Sequence, residues 1–296
     1  MRVLIAGSSG FLGAAVTSAL RSAGHDVLRL VRRQPTGPAE RAWDPPAGRL
    51  AEDALDGVSA VLNLCGRPLA PARWSAARKQ LIRDSRLEPT EVLAAAVAEH
   101  QIPVLINASA VGYYGDTGAT EVDETAAAGT GFLAELCVDW EQATQPAADA
   151  GTRVVLLRTG PVLARTGGLL GMLRPVFQAM LGARFGQGEQ YLPWIQLTDF
   201  TAAVTFAVEH EELSGPVNMC APNPATNRAF TRALGAAVHR PTPWVAPAFA
   251  LRALGGQQLE EMLLFGQRAV PAALLRQGFT FEYPELAEAL ARSTRR

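Results

Sequence analysis

At 296 residues, 48% of them hydrophobic, the chain carries enough apolar material for a sizeable core, and its formal net charge is only −1. That balance excludes electrostatic attraction as the driver of binding to nucleic acid or to an anionic membrane surface. The three cysteines, Cys65, Cys137 and Cys220, are far apart and form no zinc-ligand pattern with the four histidines. No apolar stretch is long enough to span a bilayer. The N-terminal apolar run is too short for a signal peptide, and with three scattered thiols it leads to the expectation of a cytoplasmic protein.

The first predicted strand, Arg2 to Ala6, runs into Gly7, Ser8, Ser9, Gly10, Phe11, Leu12 and Gly13. Val16, Leu20 and Ala23 then recur at helical period. Strand, glycine turn and helix in that order are the context of a dinucleotide-binding loop. Gly7 permits the tight turn, Gly10 lets a pyrophosphate approach the backbone, and Gly13 lets the helix pack close. The helix N-terminus then faces the phosphates. The bland alternative is a glycine-rich turn that holds nothing. Val27 to Val31 predicts a second strand. A protein that binds NAD ends this strand with an acid for the ribose 2′-hydroxyl. Here Arg32 and Arg33 stand in that place. A carboxylate would repel a 2′-phosphate, whereas a guanidinium can grip it, so the pair points to NADP(H). The competing reading is two solvated surface arginines.

Gln34 to Gly57 reads as a long connection with a short strand at Arg41 to Trp43. Val58 to Leu64 is a clean apolar strand that ends at Cys65 and Gly66, which are expected to line the adenine and ribose side of a dinucleotide. Arg67 to Arg73 is a proline-broken loop. Trp74 to Glu99 is helical, and Pro89 is expected to kink or restart it. Pro103 to Ala108 is a strand that delivers Ser109, followed closely by Tyr113 and Tyr114. Gly129 to Ala150 predicts a helix with Phe132, Leu133, Leu136 and Trp140 on one face, and Arg153 to Leu157 another strand. This alternation predicts an α/β fold, a doubly wound parallel sheet. Beyond residue 163 the pattern loosens. Pro193 to Asp199 leads into an amphipathic helix, Val217 to Cys220 reads as a late strand, and shorter helices follow. The expected division is a dinucleotide-binding domain over 1–163, rejoined by 195–220. Segments 164–194 and 221–296 make a smaller C-terminal lobe.

Further motifs stand along the chain: Ala108-Ser109-Ala110-Val111-Gly112-Tyr113-Tyr114-Gly115, Gly131-Phe132-Leu133 with Trp140-Glu141, Ser85-Arg86-Leu87 with Thr90, and Leu192-Pro193-Trp194-Ile195 with Asp199. The tail adds Arg240-Pro241-Thr242, Gln267-Arg268-Ala269-Val270-Pro271 and Gly278-Phe279. With the glycine loop, they make the chain resemble the extended, atypical short-chain dehydrogenase/reductases of the NAD(P)-dependent epimerase/dehydratase group. Within that group it is similar to an "epimerase family protein" branch, whose tail is a C-terminal domain of unassigned function. The resemblance spans nearly the whole chain. It implies a Rossmann domain holding NADP(H) and names no substrate.

Such reductases move hydride with a Ser or Thr, a Tyr and a Lys, the last two placed four apart on one helix. Four residues after Tyr113, Tyr114, Tyr191 and Tyr283 stand Thr117, Gly118, Ile195 and Ala287, so no such pair exists. The only lysine, Lys79, precedes the strand that delivers Ser109. The resemblance puts the missing Tyr and Lys at about Leu133 and Cys137. Ser109 keeps the position of the catalytic Ser or Thr, and satisfying strand-end backbone is its alternative role. Tyr113, Tyr114 and Trp194 are expected to line a substrate pocket, with core packing as the alternative. Asp199 is expected to cap or charge the N-terminus of its helix, with acid–base work as the alternative, and Cys137 to be buried packing, with a nucleophile as the alternative.

Two functions follow. One is an NADP(H)-dependent oxidoreductase or nucleoside-diphosphate-sugar epimerase, acting on a small, sugar-like molecule without the Tyr/Lys relay. The other is a non-catalytic NADP(H)-binding redox sensor or partner module.

Overall fold

A computed structural model describes residues 1–70 and 73–294, so positions 71 and 72 of the proline-broken loop lie outside the described residues. Eight strands form the central sheet: β1 (Arg2–Ala6), β2 (Asp26–Val31), β3 (Glu40–Asp44), β4 (Arg49–Leu50), β5 (Ala60–Asn63), β6 (Val104–Ala110), β7 (Arg153–Thr159) and β8 (Gly215–Met219). Their order across the sheet is β8-β7-β6-β5-β1-β2-β3-β4. β1 pairs in parallel with both β2 and β5, so Val3 lies opposite Val27 on one side and Ala60 on the other. β5 pairs in parallel with β6, and β2 with β3, while β4 returns antiparallel along β3. Helices cover a parallel sheet on both faces, which is why its central strands read as unbroken apolar runs. Val3 to Ala6 and Ala60 to Leu62 are fully buried accordingly.

The helix α1 (Phe11–Ser22) buries Gly13, Val16, Thr17 and Leu20, the spacing of one helical stripe. The next helix, α2 (Ala76–Glu99), does not restart at Pro89. Thr90 ties its hydroxyl back to the Arg86 carbonyl at 2.8 Å, supporting the turn from which proline removes a donor. The single helix expected over 129–150 is two, α3 (Phe132–Gln142) and α4 (Gln145–Asp149). Gly131, at φ +108, holds a backbone conformation that delays the start, and Pro146 opens the second piece.

The chain divides into two compact units. The first comprises Met1–Ser109, Leu136–Leu157 and Thr201–Val217. Its core gathers Leu4, Leu28, Trp43, Val61, Leu93 and Leu105 around the sheet. The second comprises Ala110–Glu135, Arg158–Phe200 and Asn218–Arg296. Its own core is built from Leu163, Leu170, Phe177, Trp194, Phe230, Leu234 and Leu290. Buried carboxylates tie the second unit internally. Glu124 accepts the Asn218 and Ala273 N–H groups, each at 3.0 Å. Asp199, in the first turn of the helix Leu197–Glu209, accepts those of Glu282 and Tyr283 at 2.7 and 3.0 Å. No helix among the described residues is long and apolar enough to cross a membrane.

Candidate cofactor and catalytic site

The strand order reverses between β1 and β5, because the chain leaves β1 toward β2 and returns on its other side. In an open α/β sheet this reversal opens a crevice at the C-terminal strand ends. The glycine loop sits there, inside the first unit. Gly7 has φ +80, and a Cβ on it would lie 2.7 Å from the Leu64 carbonyl oxygen that follows β5. A Cβ on Gly13 would collide with the Gly7 carbonyl. The protein's own packing therefore requires both glycines. Gly10 is different. Its φ of −74 and ψ of 170 suit any residue, and an added Cβ meets only the Gly7 oxygen, at 3.4 Å. The space beyond is open, as a cradle for a ligand would be. Gly10 also caps α1 without a side-chain acceptor, and no acid stands in the first turn. The leading N–H groups of α1 thus remain available to an anion. Ser9 and Gly10 are exposed, while Ser8, Phe11 and Leu12 are half-buried.

The two arginines after β2 separate. Arg33 donates through Nη1 and Nη2 to the carboxylate of Glu40 on β3, at 2.8 and 2.7 Å. Arg29 adds a bond at 2.9 Å, and the Thr36 N–H another at 2.9 Å. The Arg33 hydrogen bonds are the main cause that holds the Glu40 carboxyl down at about 2. Arg33 is thereby committed to its own protein. Arg32 is exposed and, among the described residues, has no carboxylate within ion-pair distance. Its charge acts on Cys65, whose thiol burial nonetheless pushes up to about 12.

A buried polar network joins the neighbouring strand ends. Asn63 Nδ2 donates to Thr90 Oγ1 at 2.9 Å and to Asn107 Oδ1 at 2.8 Å. Trp140 Nε1 donates to the same Thr90 oxygen at 3.0 Å. The ends of β5 and β6 are thus fastened to α2 and α3. Ser109 lies two residues past Asn107, on the same face of β6, and is 3% exposed. Its Oγ donates to Glu141 Oε1 at 2.7 Å. Glu141 served the sequence reading only as a landmark beside Trp140, yet it is the partner of the one polar candidate left in the catalytic position. Cys137, one helical turn earlier, is buried. The Arg86 guanidinium lies 5.1 Å from the Trp140 ring and packs against Gly66.

The remaining candidates fall in the second unit. Tyr114 is 3% exposed; its hydroxyl donates to Asn218 Oδ1 at 2.7 Å and accepts from Arg158 Nη1 at 3.1 Å. Burial pushes this phenol up to about 12. Tyr113 is half-buried, with the Arg158 guanidinium 3.4 Å from its ring centroid. Trp194 corrects the expectation of a pocket-lining residue. It is fully buried in the second unit's core, and its indole donates to the Asn223 carbonyl at 3.2 Å. Leu133 donates its N–H to Glu261 at 2.9 Å and brings no polar side-chain atom. Among the described residues no group of histidines, cysteines and acids could hold a metal.

Comparison with known proteins agrees with this geometry. Residues 3–220 match the NAD dependent epimerase/dehydratase family, and residues 246–293 match a domain of unknown function, DUF1731. An epimerase family protein of Mycobacterium bovis is 55% identical over 294 residues, covering 99% of this chain and 98% of that one. The crystal structure of human epimerase family protein SDR39U1 with NADPH is similar at a TM-score of 0.91 and 34% identity, over 99% of both chains. The nucleoside-diphosphate sugar epimerase from Corynebacterium glutamicum gives 0.82 and 38%, over 99% of this chain and 58% of that one. The chain belongs to the NAD-dependent epimerase/dehydratase family.

Proposed function

We propose that this protein binds NADP(H) on the Gly7–Gly13 loop and works as an oxidoreductase or epimerase on a small, sugar-like molecule. In this reading Ser109 and Glu141 handle the proton. The observation that carries it is the 2.7 Å bond from Ser109 Oγ to Glu141 Oε1, in the same unit as the loop. The open face of Gly10 and the uncapped start of α1 fit a pyrophosphate. Arg32, which pairs with no carboxylate among the described residues, fits the 2′-phosphate. The NADPH-bound human relative supports the same choice of cofactor. When bound, the cofactor supplies or takes up a hydride at its nicotinamide ring.

The protein's share is the proton. As a substrate hydroxyl is oxidised, Ser109 Oγ accepts its proton and passes its own hydrogen to Glu141; on reduction the transfer runs backwards. A carboxylate already hydrogen-bonded to the serine is placed for this without rearrangement. Neither Leu133 nor buried Cys137 can serve as the missing tyrosine and lysine. The rival reading, a sensor without turnover, draws on that absence and on the Tyr114 hydroxyl being committed to Asn218 and Arg158.

Loss of NADPH absorbance, screened over aldehydes, ketones, sugars and nucleotide sugars, separates the two. Turnover on a sugar-like member is expected. It should fall by about 10²–10⁴-fold in Ser109→Ala and in Glu141→Gln, the usual loss when general acid–base help is removed. NADPH affinity should stay unchanged in both. Turnover untouched by either substitution would refute the assignment, and no turnover beside tight NADPH binding would favour the sensor.

A further inference from the structure

We propose that the second unit carries a face that docks on an anionic lipid surface, lying among the headgroups without crossing the membrane. The face is built from the helix Gly168–Gln178 (α5), the strand Trp244–Ala246 and the helix Ala248–Gly255, all within that unit. Three observations carry it.

The first is a helix with no polar side. α5 turns Leu170 and Phe177 into the core of the unit, with Leu173 packed against them. A surface helix with one buried stripe ordinarily presents polar residues on the opposite side. Here that side bears Met172, Pro175 and Val176, continued by Ala179 and Met180 just past the helix end, and all of these are exposed. From Leu169 to Gln178 the only polar side chains are Arg174 and Gln178. An apolar stripe on each side is the pattern of a helix that is covered on both.

The second is that the outer stripe continues onto its neighbours. Trp244 donates its indole N–H to the Met180 carbonyl at 2.9 Å. Its strand pairs in parallel with Ala183–Phe185, which begins two residues past Leu181. Phe249 stands four residues beyond Val245, at the start of the helix that follows. Leu181, Trp244 and Phe249 expose 63, 55 and 76% of their surface, and Val245 is exposed as well. Single exposed apolar residues need no explanation, whereas a joined patch of large ones marks a site of association.

The third is charge, and it selects the occupant. Residues 168–185 and 240–255 contain Arg174, Arg184, Arg240 and Arg252 and no aspartate or glutamate. Arg252 is paired with Glu260 at 2.7 Å. Arg174, Arg184 and Arg240 form no ion pair among the described residues. Arg240 donates to the Gln178 carbonyl at 3.2 Å, which sets it at the end of α5. A second copy of the chain is a poor cover, because twofold pairing of the face would bring these arginines against one another. Lipid phosphates match them, and methionine, leucine, tryptophan and phenylalanine side chains suit insertion at the level of the headgroups. The whole molecule, at a net charge of −1, offers no general attraction to anions. Apolar burial therefore drives the docking, and the local arginines select the lipid and orient the face.

The test is co-sedimentation of the full chain with two kinds of vesicle, beside light scattering of the protein alone. One kind is phosphatidylcholine, and the other is phosphatidylcholine mixed equally with phosphatidylglycerol. Firm binding to the mixed vesicles and weaker binding to phosphatidylcholine are expected. Phe249→Ser and Leu181→Ser should each weaken binding by about 10-fold, the scale of an apolar side chain returned to water. Arg174→Gln and Arg240→Gln should each weaken it by about fivefold, on the mixed vesicles only. Leu81→Ser, at an exposed leucine of α2 in the first unit, should change nothing. Circular dichroism confirms that each variant is folded. Absence of binding, or equal binding to both kinds of vesicle, would overturn the proposal. An equal loss in Leu81→Ser would overturn it too, by making the adhesion unspecific. A dimer that Phe249→Ser dissociates, without vesicle binding, would give the face to a second copy instead.

Discussion

Arg32 and Arg33 show how far single residues could be read. Both stand just past the end of β2, and their side chains meet different surroundings. Arg33 turns to Glu40, whereas Arg32 stays exposed near Cys65. Nothing local marks which of the pair is spent internally, because Glu40 becomes a neighbour only through the pairing of β2 with β3. Arg32→Ala should weaken NADPH by about 1.5–3 kcal/mol, the range for a hydrogen bond to a charged group, with NADH nearly unaffected. Calorimetry with both dinucleotides reads this directly, and equal losses would contradict the 2′-phosphate assignment. The same limit applies to Ser109 and Glu141. The serine was legible from its position at a strand end, but its partner is 32 residues away. Trp194 fails for another reason. Flanking prolines mark a loop, and a loop residue can still be fully buried.

At the level of elements, strands and helices set by local apolar pattern were legible, and the ties between them were not. Glu40 fastens β3 to β2 through Arg29 and Arg33. Its carboxyl sits near 2 instead of 4.5, so the folded state favours the ionised form. The stabilisation is complete above about pH 4.5 and is lost as pH falls from there toward 2. Melting temperature across that window should fall more steeply for the wild type than for Glu40→Gln; parallel profiles would show that the pair contributes nothing. The start of α3 is a second case. Glu261, within the segment matching DUF1731, accepts the Phe132 and Leu133 N–H groups at 3.0 and 2.9 Å. A partner 129 residues away leaves no capping signal in the local sequence. Glu261→Ala should cost about 1–3 kcal/mol in urea unfolding, as for buried donors left unsatisfied at a helix start. A change near zero would remove helix capping from the roles of that domain.

For the molecule as a whole, the doubly wound sheet could be read ahead of the structure because its information is periodic and local: apolar strands, a glycine turn, amphipathic helices. The two compact units were less accessible, since each is assembled from three separate stretches of chain. The central proposal concerns the first unit, where packing requires Gly7 and Gly13 to be glycines, whereas Gly10 has room for a side chain and is assigned to a ligand. Gly10→Val separates these roles, because the backbone there suits valine while the side chain would fill the open cradle. Calorimetry of NADPH against the wild-type and Gly10→Val proteins, with circular dichroism to confirm the fold, is the most direct measurement. The account predicts NADPH binding by the wild type and none by a folded Gly10→Val. Wild-type affinity in that variant would contradict it and move the dinucleotide away from the loop.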